Sequence, residues 1–83
     1  MPTVKFTSAL KRFFPALKDT QATGKTLQEI LREIDVVYPG VSKYLLDDQG
    51  NLRRHVNIFI DGSMIADRNN MNDSFSDNSE IYI

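Results

Sequence analysis

Few residues in this 83-residue chain have side chains suited to covalent chemistry, and none stands in company that would put it to work. The one histidine, His55, follows Arg53 and Arg54 and has no second histidine and no cysteine with which to share a metal. Ala22-Thr23-Gly24-Lys25-Thr26 ends like a phosphate-binding loop, but that pattern needs an earlier glycine where Asp19 stands. Gly24 and Lys25 read instead as the turn before a helix. The Asp- and Asn-rich residues 67–78 lack the spacing and closing glutamate of a calcium loop. Asp47-Asp48 falls in a turn, where aspartate bonds its own backbone. Among Glu29, Glu33 and Asp35, capping explains Glu29, and a place on the polar side of a helix explains Glu33. No catalytic residue, metal site or cofactor is expected.

The remaining candidates are adhesive rather than reactive. Phe59 and Tyr82 alternate away from the expected core, with Asn57 on the same side as Phe59. Aromatic residues on an open sheet face form a plausible docking patch, because they are enriched at interface hot spots; the alternative is that loop residues cover them. Arg53 and Arg54, beside His55, could dock an acidic partner surface, or could simply be solvated at a strand entrance.

The bulk composition agrees with a docking role. At 41% hydrophobic and 25% charged the chain falls in the ordinary globular range and, at this length, makes one domain, residues 1–83. A formal charge of −1 argues against nucleic acid as a partner. No apolar run approaches the roughly 20 residues needed to cross a bilayer, so no membrane is expected. The opening Met-Pro-Thr-Val-Lys-Phe lacks the order of a signal peptide, which leaves the cytoplasm as the expected compartment. Lys5, Lys11, Arg12 and Lys18 have no acidic counterpart in the first 18 residues, a segment read as a solvated loop.

The elements that must position these residues follow from periodicity. Residues 3–8 alternate as a strand with Val4 and Phe6 inward. Pro15 prevents a long helix over 9–18, so a wide loop or single turn is expected there, with Leu10, Phe13 or Phe14 covering the core edge. A weak second strand over about 17–23 closes a hairpin with the first. Thr26 and Glu29 form a capping box ahead of a helix whose stripe is Leu27, Ile30, Leu31, Ile34 and Val37, extended by Tyr38. Pro39-Gly40 ends it, and 41–46 form a short helical turn. Residues 55–60 read as the strongest strand, with Val56, Ile58 and Ile60 on one face. Asp61-Gly62 turns into a short return strand at 63–65. Glu80–Ile83 is the last strand, with Ile81 and Ile83 inward. Two hairpins bridged by a helix bring the first and last strands side by side. That is an α+β β-grasp, a mixed sheet of four or five strands covered on one face by one main helix.

The segment Asn51-Leu-Arg-Arg-His-Val-Asn-Ile-Phe-Ile-Asp-Gly62 resembles the central strand of the MoaD/ThiS family of ubiquitin-like sulfur carriers, its MoaD-like branch in particular. The helix start Gly24-Lys-Thr-Leu-Gln-Glu-Ile-Leu31 and the ending Asp77-Asn-Ser-Glu-Ile-Tyr-Ile83 are similar as well, so the resemblance covers nearly the whole chain. It implies a carrier, not an enzyme. An E1-like adenylating enzyme would activate a C-terminal Gly-Gly tail, the tail would become a thiocarboxylate, and a sulfur-accepting synthase in cofactor or cysteine biosynthesis would receive the sulfur. The sequence stops at Ile83, where the family continues to Gly-Gly, so a tail beyond residue 83 is expected and no residue here takes the sulfur-accepting role. A non-carrier ubiquitin-like binding module and the small subunit of a molybdopterin-type synthase remain as alternatives.

Overall fold

The computed structural model describes residues 1–83. The alternation at the N-terminus forms β1 (Thr3–Lys5), which places Val4 in the core and leaves Lys5 on the opposite face. The strand gives way early to α1 (Ser8–Phe13), because the Thr7 hydroxyl accepts the Leu10 amide at 3.3 Å and caps a helix start. The segment expected as a loop or single turn is therefore a six-residue helix. Pro15 limits its length, Leu10 is its buried residue, and Phe13 points outward. β2 (Thr20–Gln21) then pairs antiparallel with β1, as the sequence suggests.

The main helix is α2 (Leu27–Val37). The Thr26 hydroxyl accepts the Glu29 amide at 3.2 Å, and the Glu29 carboxylate reaches back to the Lys25 amide at 3.2 Å. Leu27, Ile30, Leu31 and Ile34 are buried, each burial contributing about 2 kcal/mol at most. Val37 does not join them. It is 57% exposed, because the stripe drifts around the cylinder and Tyr38, half-buried, takes over the contact with the core. The helix stops at Pro39-Gly40, where Gly40 has a φ of 98° that a side chain would resist. The Asp35 carboxylate holds the turn by accepting the amides of Gly40 and Ser42 at 3.1 and 3.2 Å. α3 (Val41–Leu45) follows, burying Val41 and Leu45.

The third strand is much shorter than its sequence suggests. Only Phe59–Ile60 form a ladder, as β3. The alternation persists upstream, with Val56 and Ile58 buried and His55 and Asn57 exposed. However, β4 (Ser63–Met64) is too short to give residues 55–57 a partner. Residues 53–56 turn instead, with the Val56 amide on the Arg53 carbonyl at 3.0 Å. Asp61 and Gly62 have φ of 51° and 87°, the backbone of a tight hairpin turn.

β5 (Glu80–Tyr82) enters between β1 and β3, parallel to the first and antiparallel to the second, and completes a mixed sheet of order β2-β1-β5-β3-β4. This is the ubiquitin-like β-grasp. Val4, Ile81 and Ile60 form a register row on its inner face, which meets α2 in a core of 18 buried residues. Met71 and the half-buried Phe75 anchor the polar segment that crosses from β4 to β5.

Candidate functional site

Because side chains alternate along each strand, the register that turns Val4, Ile81 and the half-buried Ile60 toward the core turns their neighbours outward. Lys5 pairs with Tyr82, Tyr82 with Phe59, and Phe59 with Met64, so one row crosses four strands on the uncovered face. Tyr82 is 42% exposed and Met64 56%, while Phe59 is half-buried between them. Lys5 closes the row at one end in an ion pair with Glu80 at 3.0 Å, and this pairing raises its amine above the ordinary lysine value. Tyr82 and Phe59 are thus direct neighbours, as their alternation suggests. Met64 was not singled out from sequence; a methionine after Asp-Gly-Ser carries no signal until the hairpin register is known.

The other expected residues lie apart from this row. Asn57 is exposed beyond the end of the ladder, where its side-chain oxygen accepts Arg68 at 2.7 Å. The same guanidinium donates to the Arg53 carbonyl at 2.6 Å, which makes Arg68 the fastener of the turn before β3. The Arg53 guanidinium donates to the Lys43 carbonyl at 3.1 and 3.3 Å, whereas Arg54 is exposed and makes no side-chain hydrogen bond. His55 meets the Tyr44 ring edge-on, with centroids 5.8 Å apart.

Phe59 joins two surfaces. On one side it belongs to the outward row; on the other it borders a groove of about 280 Å³ whose apolar floor is Leu10, Leu45, Val56 and Ile83. The C-terminal strand is fixed beside this groove. The Ile83 amide donates to the Lys5 carbonyl at 2.9 Å, and its carbonyl accepts the Thr7 amide at 2.8 Å. At the other end of the strand, the Asp61 carboxylate accepts the Glu80 amide at 2.9 Å and the Ser79 hydroxyl at 2.8 Å. Those two bonds hold the Asp61 carboxyl below its ordinary value, against a smaller opposing effect of burial.

Glu33 does more than occupy a polar helix side. Its carboxylate accepts the amides of Thr23 and Gly24 at 2.8 and 2.6 Å and the Thr23 hydroxyl. Partial burial pushes its pKa up, but these bonds together outweigh burial and hold it below the ordinary value. Glu33 therefore clamps the loop that delivers the chain into α2, a structural duty.

No family model matches the chain, and no curated protein matches it. Solved structures do. CysO of Mycobacterium tuberculosis superposes with a TM-score of 0.81 at 24% identity, over 99% of this chain and 94% of that one. A chain of the Amycolatopsis orientalis BexX/CysO complex gives a TM-score of 0.83 at 18% identity, over 99% and 91%. A protein from Haloferax volcanii, small archaeal modifier protein 1, gives 0.74 at 17% identity, over 98% and 89%. The fold is thus shared end to end with these small proteins, one of which is a chain of the BexX/CysO complex. No helix of the chain is long and apolar enough to cross a membrane.

Proposed function

We propose that this chain is a sulfur carrier of the MoaD/ThiS kind, docked and chemically charged by other proteins. The observation that carries the reading is the placement of the last residue. Ile83 is hydrogen-bonded through its amide to Lys5 at the end of β1 and through its carbonyl to Thr7 just beyond it, next to the central strand of the sheet. A glycine-rich tail attached there would leave from a fixed exit beside the Phe59 ridge, and glycines would let it thread into a narrow partner site. In this reading the natural protein continues past Ile83 to Gly-Gly. An E1-like enzyme adenylates the terminal carboxylate with ATP and releases pyrophosphate, a sulfide-level sulfur donor displaces AMP from the acyl-adenylate to give the thiocarboxylate, and a sulfur-accepting synthase in cofactor or cysteine biosynthesis receives the sulfur. The whole-chain likeness to CysO and to a small modifier protein supports this over a stand-alone enzyme. Tyr82, Phe59 and Met64 supply the docking row, and the partner enzymes supply the chemistry.

The deciding experiment is the intact mass of the protein isolated from its own cells. A Gly-Gly extension, with a fraction heavier by the exchange of one oxygen for sulfur, is the expected result. A natural chain ending at Ile83 would overturn the carrier and leave a ubiquitin-like binding module.

A further inference from the structure

The groove beside Ile83 does not end at its apolar floor. It passes over the Tyr44–His55 pair into a second hollow lined by Lys43, Tyr44, Arg53 and His55, so the two depressions share those aromatic side chains as a common wall. Phe13, 62% exposed, packs on the outer side of Tyr44 with ring centroids 5.1 Å apart and raises that wall. No Asp or Glu side chain lines either depression. The one ion pair of the molecule is Lys5–Glu80, so Lys43 and Arg53, like Lys11 and Arg12 on neighbouring α1, have no carboxylate within 4.0 Å. Asp47 and Asp48 line an adjoining depression that Lys43 and Arg53 also border, and the Asp47 carboxylate there is engaged by the amides of Gln49 and Asn51. Arg53 is also preorganised, because its two bonds to the Lys43 carbonyl fix the guanidinium without engaging it in an ion pair.

We propose that this continuous surface is a second docking site, separate from the outward row of the sheet, and that it takes an acidic peptide segment of a partner protein. An aliphatic side chain of the segment sits on Leu10, Leu45 and Val56, and a carboxylate a short distance along the segment meets Lys43 and Arg53. Charge complementarity selects the occupant: an apolar floor running into a hollow that carries Lys43 and Arg53 matches a segment with both features. A polyanion such as RNA would match the hollow alone. The site rests on the reading of the chain as a docking domain but not on a sulfur-carrying tail, so it can be tested on residues 1–83 themselves.

The test is an NMR titration of the ¹⁵N-labelled chain with three probes: a short synthetic peptide of Glu and Asp carrying two leucines, its Lys counterpart, and a single-stranded oligonucleotide. The expected result is saturable shifts at Ala9, Tyr44, His55 and Val56 with the acidic peptide alone, weakening as salt rises. Lys43→Glu with Arg53→Gln should reduce the affinity about tenfold, whereas Lys25→Gln, which removes a positive charge away from both depressions, should leave it unchanged. Because Arg53 also secures the backbone, Lys43→Glu alone serves as the second variant, read by its affinity and its flatter salt dependence. No saturable shift, shifts centred on the Tyr82 row, or equal binding of the basic peptide or the oligonucleotide would each overturn the site. None of those results bears on the mass measurement that tests the carrier.

Discussion

Phe59 and Tyr82 stand directly opposite each other across the antiparallel pairing of β3 with β5, on the sheet face that α2 leaves uncovered. Their contact is set by the same register that places Ile60 against Ile81 inside, so the outward pair cannot slip without exposing the core. Two aromatic side chains held at neighbouring positions of a sheet give contact area at small entropic cost, which suits a docking anchor.

Tyr82→Ala should therefore separate binding from folding. The cross-strand contact it removes is worth about 1 kcal/mol or less, so thermal unfolding should shift little. Affinity for an adenylating-enzyme partner should fall by about 2 kcal/mol, roughly thirtyfold, measured by titration calorimetry. Unchanged affinity would remove Tyr82 from the docking row.

Gly24→Ala should be destabilising although Gly24 lies in a loop. A methyl group at this position would stand 2.8 Å from the Glu29 Cβ and from a Glu33 carboxylate oxygen, and 2.9 Å from the Ile30 amide nitrogen. The loop must move away from α2, which also lengthens the 2.6 Å bond from the Gly24 amide to Glu33. A loss of about 1–3 kcal/mol in a urea titration is expected, with Glu33→Gln costing about 1 kcal/mol through the same clamp.

The sequence made the fold legible wherever a pattern was local. The capping box at Thr26, the stripe from Leu27 to Ile34, the Asp61-Gly62 turn and the outward Tyr82 all depend on neighbours within a few residues. What stayed hidden depends on partners far along the chain. Strand 55–60 alternates correctly, yet its ladder is cut to two residues because β4 is short. Met64 joins the outward row only through its pairing with Phe59. The role of Glu33 required the loop at 23–24 to fold back over a span of ten residues. The groove was beyond reach of sequence, since α1, α3, residues 55–57 and Ile83 meet only in three dimensions.

Acid should loosen the molecule through a particular set of carboxylates. Asp35, Asp61 and Asp73 are held below their ordinary values mainly by backbone amides, and Glu33 by the Thr23 and Gly24 donors acting against burial. A depressed folded pKa means that the unfolded chain binds protons first, so the stabilisation is complete above the ordinary carboxylate range, at about pH 5 and higher. It is lost as the pH falls from there through the lower folded values. Urea midpoints measured between pH 6 and 2.5 should be flat at first and then drop, and Asp35→Asn should make the drop shallower. A midpoint that fell steadily from pH 6 would point to groups other than these.

Asp61 ties the β3–β4 turn to the start of the C-terminal strand, and this gives the last prediction. Its amide donates to the Glu80 carbonyl at 2.9 Å while its carboxylate accepts from Glu80 and from Ser79, so three bonds converge where β5 enters the sheet. Ser79 is the buried polar residue of this junction, and without the carboxylate its hydroxyl keeps only Ser76 as a partner. Asp61→Ala also places alanine at a φ of 51°, a conformation that aspartate tolerates better. Tm should fall by a few degrees, on the order expected for a single lost surface clamp in a domain of this size. The more specific consequence is local. Amide exchange at Glu80 and Ile81 should accelerate more than at Ile30 or Ile34, because the strand entry is released while α2 keeps its packing. Uniform acceleration across both elements would mean that Asp61 acts only on global stability and has no separate hold on the strand that leads to Ile83.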